Sequence, residues 1–482
     1  MSSLKNLVHK LKSNGGDDDD ETHTHDALDT LHHHDASDGQ RAKEILSVFE
    51  AAFGTLTRDD PDAMGTKFRK MAASAFAFYR GTAALFYHDM ARASGSAAGD
   101  RFLNEQTSHI WMHGDLHAEN FGTYMDAHGH LIFNVNDFDE AYVGPFTWDL
   151  KRFVASIALI GYSKALSDRQ VTKLVTYYVR AYRERIGELA RGKEDVKAFT
   201  LRNATGPVLE ALRSARLQSR VELLDSMTEI HEHDRRFIRG QGGAFELEEA
   251  TRKSVVAGFD QYLTTLPTTG AWRRGSDNPR IKDVVGRRGM GIGSAGLPNY
   301  NILLEGRSEA LENDVVLYVK QSQPAAVAKH IEHNVAQAHF HHEGHRTVVS
   351  QRALQAHADP WLGWTEIDGQ GHMVAEVSPH EVDLEWSDID RPGEMASVVA
   401  DLGRATAMMH GAGDDDARHS DLVPFSPEKV IDEAIAADEQ GFVGMLVAFA
   451  RDYSTQVRKD HHIFTDLFRN GAIPGLPDSD DL

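Results

Sequence analysis

Two acidic stretches set close together constrain this chain more than anything else in it. The first is His113-Gly114-Asp115-Leu116-His117-Ala118-Glu119-Asn120, and the second is Asn136-Asp137-Phe138-Asp139-Glu140. Between them, residues 121–125 and 130–135 are partly alternating apolar runs around a turn at 126–129, which predicts two strands. The second strand runs directly into Asp137. A carboxylate at the end of a strand, facing a loop that carries another carboxylate, is how a rigid support presents oxygen ligands to a metal. An acid, an amide five residues on and a further acid suit a site that orients a hydroxyl nucleophile and holds a divalent cation on a nucleotide. Phosphoryl transfer needs little covalent help; it needs positioning, a base near the nucleophile and oxygen ligands for Mg²⁺.

The rest of the composition narrows the field. At 482 residues the chain is too long for one small core, so two domains or lobes are expected. A net charge of −22 excludes general nucleic-acid binding, which needs a basic surface, and fits solubility or a cationic substrate. With no cysteine, disulfides, thiolate nucleophiles and cysteine–zinc sites are ruled out. No apolar run approaches the roughly 18–20 residues that span a bilayer; the longest candidate, 153–162, reads as a buried helix. No signal segment follows Met1, so a cytoplasmic protein without a membrane partner is expected.

In chain order, residues 1–40 read as an acidic, His-rich leader, with Asp17 to Asp20 and His32-His33-His34. Such a stretch stays solvated for want of apolar content, although His-rich tracts also bind metal. Helical periodicity runs from Gln40 to Phe53 and from Lys67 to about Arg92, where Phe76, Phe78, Phe86 and Tyr87 supply core. Arg80, in Phe78-Tyr79-Arg80-Gly81, suits either a phosphate clamp or a structural pairing with a buried Asp. Trp148-Asp149-Leu150-Lys151-Arg152 opens a helix through Leu159. Asp149 either caps it or braces the upstream loop by accepting backbone N–H groups. Residues 190–250, charged and containing Gly240-Gln241-Gly242-Gly243, read as linker or insertion.

From Ile281 the character turns to β. A strand near 283–286 leads to Gly289, Gly291, Gly293 and Gly296, then to β-rich runs at 299–304 and 314–319, the last ending in Lys320. Gly291-Ile292-Gly293-Ser294-Ala295-Gly296 satisfies G-x-G-x-x-G, which in a dinucleotide fold continues into a helix. Here it continues into a strand, which favours a hairpin flap over phosphates with a lysine on a later strand reaching them. Residues 324–357 are helical in pattern and carry His330, His333, His339, His341, His342 and His345, but not at H-E-x-x-H spacing, which disfavours zinc. A strand pair at 361–367 and 372–377 and helices over 394–410 and 430–468 complete the chain.

The central block resembles the protein-kinase-like superfamily. His113-x-Asp115-Leu116-x-x-Glu119-Asn120 looks like its catalytic loop, in the His-Gly-Asp form of aminoglycoside and choline phosphotransferases. Asn136-Asp137-Phe138-Asp139, with Trp148-Asp149-Leu150 downstream, is similar to their metal-binding acid and the aspartate that follows it. More closely, Phe76-Ala77-Phe78-Tyr79-Arg80-Gly81 together with 113–122, 136–140, 144–152, 284–296, Val319-Lys320 and 346–352 resembles an uncharacterised bacterial domain-of-unknown-function family assigned to that superfamily, over about residues 45–470.

The resemblance implies an α+β, two-lobed, protein-kinase-like fold and an ATP- and Mg²⁺-dependent phosphotransferase acting on a small-molecule hydroxyl. The alternatives are a protein-directed kinase or AMP transferase, and a non-catalytic nucleotide-binding pseudokinase. Asp115 is the implied base, with His113 and Arg80 beside it. Asn120 and Asp137 are the implied Mg²⁺ ligands, with Asp139 a further metal or structural acid. Lys320 is the implied phosphate contact, under a flap of Gly291, Gly293, Ser294 and Gly296. The order of parts is reversed relative to ordinary kinases, which implies a circular permutation: leader 1–40, helical catalytic lobe 41–280, β-rich nucleotide lobe 281–380, and the rest of the helical lobe 381–482. The lysine's usual helix-borne glutamate is not obvious; Glu332 and Glu343 are candidates, and the family-matching polar position is Gln351.

Overall fold

The computed structural model describes residues 36–94, 100–192, 198–267, 279–288, 296–331, 338–413 and 422–476. The leader over 1–35 and the loop positions Gly291, Gly293 and Ser294 lie outside the described residues, as does Glu332. The architecture is mixed α+β with several small sheets.

The chain begins with helices α1 (Ala36–Asp59), α2 (Pro61–Ala72), α3 (Ala75–Gly81) and α4 (Ala83–Ser94). The periodicity over 67–92 predicts one segment, but local hydrogen bonds divide it. Ser74 leaves helical geometry to accept from Ala77 N at 3.0 Å and so parts α2 from α3; upstream, Asp60 accepts from Ala63 N at 3.0 Å just ahead of Pro61 and parts α1 from α2. Next come β1 (Ile110–Met112), β2 (Phe121–Met125), β3 (Leu131–Val135) and β4 (Tyr142–Gly144); β2 and β3 lie close to the two predicted strands, and β4 was not expected. Helices α5 (Phe146–Ser163) and α6 (Asp168–Ala190) follow, α6 opened by a capping box between Ser167 and Gln170.

The charged stretch 190–250 is not a linker. Its described part holds β5 (Phe199–Thr200), α7 (Gly206–Leu217), α8 (Arg220–Met227), β6 (Thr228–His231), β7 (Asp234–Phe237) and β8 (Ala244–Phe245). Helix α9 (Glu249–Thr265) leads to β9 (Ile281–Arg287), β10 (Asn299–Leu304), β11 (Val315–Gln321), α10 (Glu343–Leu354), β12 (Gly363–Ile367) and β13 (Gln370–Glu376). The chain ends in α11 (Pro392–Ala412), α12 (Pro427–Ala436) and α13 (Glu439–Arg469).

Six of these strands form one antiparallel sheet in the order β12-β13-β11-β10-β9-β8. Strand alternation sorts its two faces. Val284, Ile302, Leu304, Leu317, Val319 and Val374 pack with Val255, Phe259 and Tyr262 of α9. The alternate positions, among them Asn299, Asn301, Tyr318, Lys320, Met373 and Ala375, turn to the opposite face and line a cavity. Residues 244–266 therefore share a core with chain that begins only at Ile281. A larger core lies in the helices. Phe49 stacks on Phe68 and meets Phe464 edge-on, both at 5.7 Å between ring centres. Arg41 of α1 is held by Asp89 at 2.7 Å and by Asp460 of α13 at 2.8 Å. The two ends of the described chain thus build one helical body, with the large sheet between them in sequence.

Candidate active site

The two acidic stretches become two loops held side by side at both ends. Met112, before the first loop, pairs with Tyr142, after the second. Phe121, after the first loop, pairs with Val135, before the second. Asn136 N donates to Asn120 O at 3.1 Å, which adds a rung between them. Gly114 sits where the loops touch: its φ is +81°, and a Cβ there would lie 1.9 Å from the Glu140 carbonyl oxygen. Only glycine fits a backbone that is both left-handed and this close to another.

Asp149 resolves the choice between cap and brace. It has no exposed surface and does not cap α5, whose N-terminus has no side-chain cap. Its carboxylate accepts from His113 N at 2.6 Å and Gly114 N at 3.0 Å. His410 Nε2 of α11 lies 3.2 Å from the same carboxylate, and Tyr182 OH lies 2.9 Å from His410 Nδ1. The side chain of His113 is fully buried and does not reach the cavity. Its Nε2 lies 2.8 Å from Asn136 O and its Nδ1 accepts from Asp115 N at 3.2 Å, so it ties the two loops rather than facing a ligand.

Asp115 carries an interaction that the sequence did not foretell. Arg152 of α5 is buried, and its Nε donates to Asp115 Oδ1 at 2.7 Å. The guanidinium also lies 4.5 Å from the Tyr79 ring centre and donates to Tyr79 O at 3.2 Å. Burial lifts the Asp115 carboxyl to about 7, against the pull of Arg152. The Asp115 side chain keeps 19% exposure. Asn120 Nδ2 donates to Asp115 O at 2.9 Å, which leaves the amide oxygen without a donor among the described residues. Arg80 pairs with Glu119, both half-buried on the cavity wall.

In the second loop, Asp137 is exposed and has a φ of +59°. A non-glycine residue in that region is strained, least so for Asp and Asn, and such strain concentrates at functional sites. Its carboxylate has no hydrogen bond or ion pair with a described residue. Asp139 pairs with Lys320 of β11 across 181 positions of sequence. Burial alone would depress the Lys320 ammonium, but Asp139 and Asp137 outweigh it and raise its pKa. Glu343 is taken by Arg346 at 2.5 Å, and Gln351 Nε2 donates to Gln355 Oε1 at 3.1 Å.

Asp115, Arg80, Asn120, Asp137, Asp139, Lys320 and Gln351 all line one cavity of about 610 Å³, within the usual range for ligand sites of about 300–1,000 Å³. Gly296, with φ +78°, sits instead near Leu56 and Asp60 of the helical body. Seven carboxyl groups (Asp115, Glu119, Asp137, Asp139, Asp359, Glu381 and Asp383) share the cavity with Arg80, Arg287 and Lys320; burial raises Asp359 to about 7 and Glu381 to about 8, as it does Asp115, so fewer than seven negative charges face the three cations near neutral pH. Among the described residues no three His, Asp or Glu side chains form a ready-made metal cage. Arg152 and Arg346 escaped the sequence reading. The one signal for them is a charged residue on the apolar face of a helix, as Arg152 is between Leu150 and Phe153.

A family model described as "Uncharacterized protein conserved in bacteria (DUF2252)" matches residues 58–467, and the chain belongs to that family. No curated protein and no solved structure matches the chain. Among the described residues no helix is long and apolar enough to cross a membrane.

Proposed function

We propose that the chain is an ATP- and Mg²⁺-dependent phosphotransferase acting on a small-molecule hydroxyl, built on a circularly permuted, two-lobed, kinase-like fold. One observation carries the reading: Lys320, far along the chain and on the large sheet, meets the early acids Asp137 and Asp139 in a single cavity. The shared core of the first and last helices, with the sheet between them in sequence, supports the permutation.

The donor set fits Mg²⁺, which takes hard oxygen ligands, usually one or two carboxylates with substrate phosphates. Asp137 and the amide oxygen of Asn120 would hold it, with Asp139 as a further acid. Bound there, Mg²⁺ would neutralise charge on the phosphate oxygens. Lys320 binds phosphate by exchanging Asp139 for it. Asp115 orients the acceptor hydroxyl and takes its proton at Oδ2, because Arg152 holds Oδ1. Arg80, with Arg287 and Lys320, sets positive charge among the carboxyl groups of the cavity wall and so steers the anionic ligand inward.

The test is calorimetric titration of ATP into the full chain with and without Mg²⁺, followed by ³¹P NMR of ATP with hydroxylated small molecules. Mg²⁺-dependent binding that is lost in Lys320→Ala supports the reading. No binding at millimolar ATP overturns it.

A further inference from the structure

The lysine of the site has no acid from α10: Lys320 is held by Asp139, and the single glutamate of α10, Glu343, is held by Arg346. Arg346 is itself nearly inaccessible, at 1% exposure. Its guanidinium donates to Ala141 O at 2.6 Å, to Asp139 O at 2.8 Å and to Gln323 O at 2.8 Å. Those three carbonyls come from the acidic loop and from the chain just past β11. The same two segments meet again where Ala326 N donates to Glu140 Oε2 at 2.6 Å. Ser350, one turn along α10, donates to Ala141 O at 3.4 Å. One face of α10 therefore grips the backbone of the residue whose side chain grips Lys320.

We propose that Arg346 is a positioning residue: by holding the Asp139 main chain it sets where the Asp139 carboxylate meets Lys320, so that α10 governs the lysine through a buried arginine instead of through an acid of its own. The functional weight of this rests on the nucleotide-site reading above, whereas the link stands on the hydrogen bonds. A planar guanidinium has five donors in a fixed fork, which is what three carbonyls in two segments require.

The experiment measures acetylation of Lys320 by N-hydroxysuccinimidyl acetate, read by peptide mass spectrometry on the full chain. Lys282 is the internal reference for a general loosening of the sheet: it lies in the same sheet, its side chain is 2% exposed against 22% for Lys320, and it is held by Asp234 and Asp314. Arg346→Met and Asp139→Asn should each raise the Lys320 rate about tenfold, the loss of one charge-assisted hydrogen bond. The double variant should react no faster than Asp139→Asn, because both act through one contact. Should Arg346→Met fail to fold, Arg346→Lys, which cannot span three carbonyls, should show about a threefold rise on the same grounds. An unchanged Lys320 rate, a rate for Lys282 that rises in step, or multiplicative effects in the double variant would overturn the proposal. Separately, Mg·ATP should protect wild-type Lys320. Without that protection the nucleotide reading falls, while the labelling result still decides the role of Arg346.

Discussion

Asp149→Asn keeps the shape of a side chain that anchors the 113–120 loop and removes its charge. Two oxygens there take three donors, at 2.6, 3.0 and 3.2 Å, with no access to water. An amide offers one oxygen, so one backbone N–H would face an NH₂ group. A hydrogen bond to a charged group contributes about 1.5–3 kcal/mol and an orphaned buried donor costs about 1–3 kcal/mol. Part of that loss is offset because a buried charge no longer has to be desolvated. A net loosening of about 2–4 kcal/mol follows. With each factor of ten equal to about 1.4 kcal/mol, amide exchange at His113 and Gly114 should accelerate about 30- to 700-fold. Hydrogen exchange read by mass spectrometry on a peptide spanning 110–118 makes the measurement, with α13 as reference. Unchanged exchange, or an equal rise in α13, would refute the claim that this carboxylate holds the loop.

Further outcomes are expected. Gly114→Ala, which drives a Cβ against the Glu140 carbonyl at a positive φ, should destabilise the chain by about 2–4 kcal/mol, read from its urea midpoint; a wild-type midpoint would show that the loops can part. Asp137→Ala should abolish Mg²⁺-dependent ATP binding in calorimetry, while Asp115→Ala should spare it and abolish turnover. The Asp115 carboxyl is raised from 3.8 to about 7, so the folded chain holds that proton more tightly than the unfolded chain. Its contribution to stability is therefore full below about pH 4 and declines up to about pH 7, a decline that Asp115→Asn should remove in urea titrations at pH 5 and 8. Turnover should rise through the same region, and Arg152→Met, by deleting the opposing cation, should move that rise to higher pH; a shift to lower pH would refute the role given to Arg152.

What could be read beforehand was local. Partial alternation placed β2, and an apolar, β-rich run placed β10, at their observed bounds, and the run of apolar residues after Trp148 predicted α5. The convergence of Lys320 with the early acids was expected from the family resemblance and appears in the cavity. Arg152 and Arg346 were not legible, because their partners lie 37 positions away in one case and 205 and 207 in the other. His113 looked like a working residue because motifs record which residue is present and not which way it faces. The 190–250 segment looked like a linker or insertion because of its many charges and glycines, whereas Arg235 is buried against Asp225 and Asp283 accepts from Phe237 N at 2.9 Å. The break at Ser74 followed from one hydroxyl competing with helix propagation, a contest that averaged periodicity does not register.

The strand β2 would leave an unpaired row of backbone groups on its outer side, since its small sheet runs β2-β3-β5. The chain returning from β13 lies along that row: Thr123 N donates to Val382 O at 2.9 Å, Leu384 N donates to Phe121 O at 3.0 Å, and Gly122 bridges Asp383. The strip that joins sheet to helices is thus also a cover. A cut or an insertion there would bare a template for strand addition between molecules, and clumping would be its first symptom, ahead of any lost chemistry.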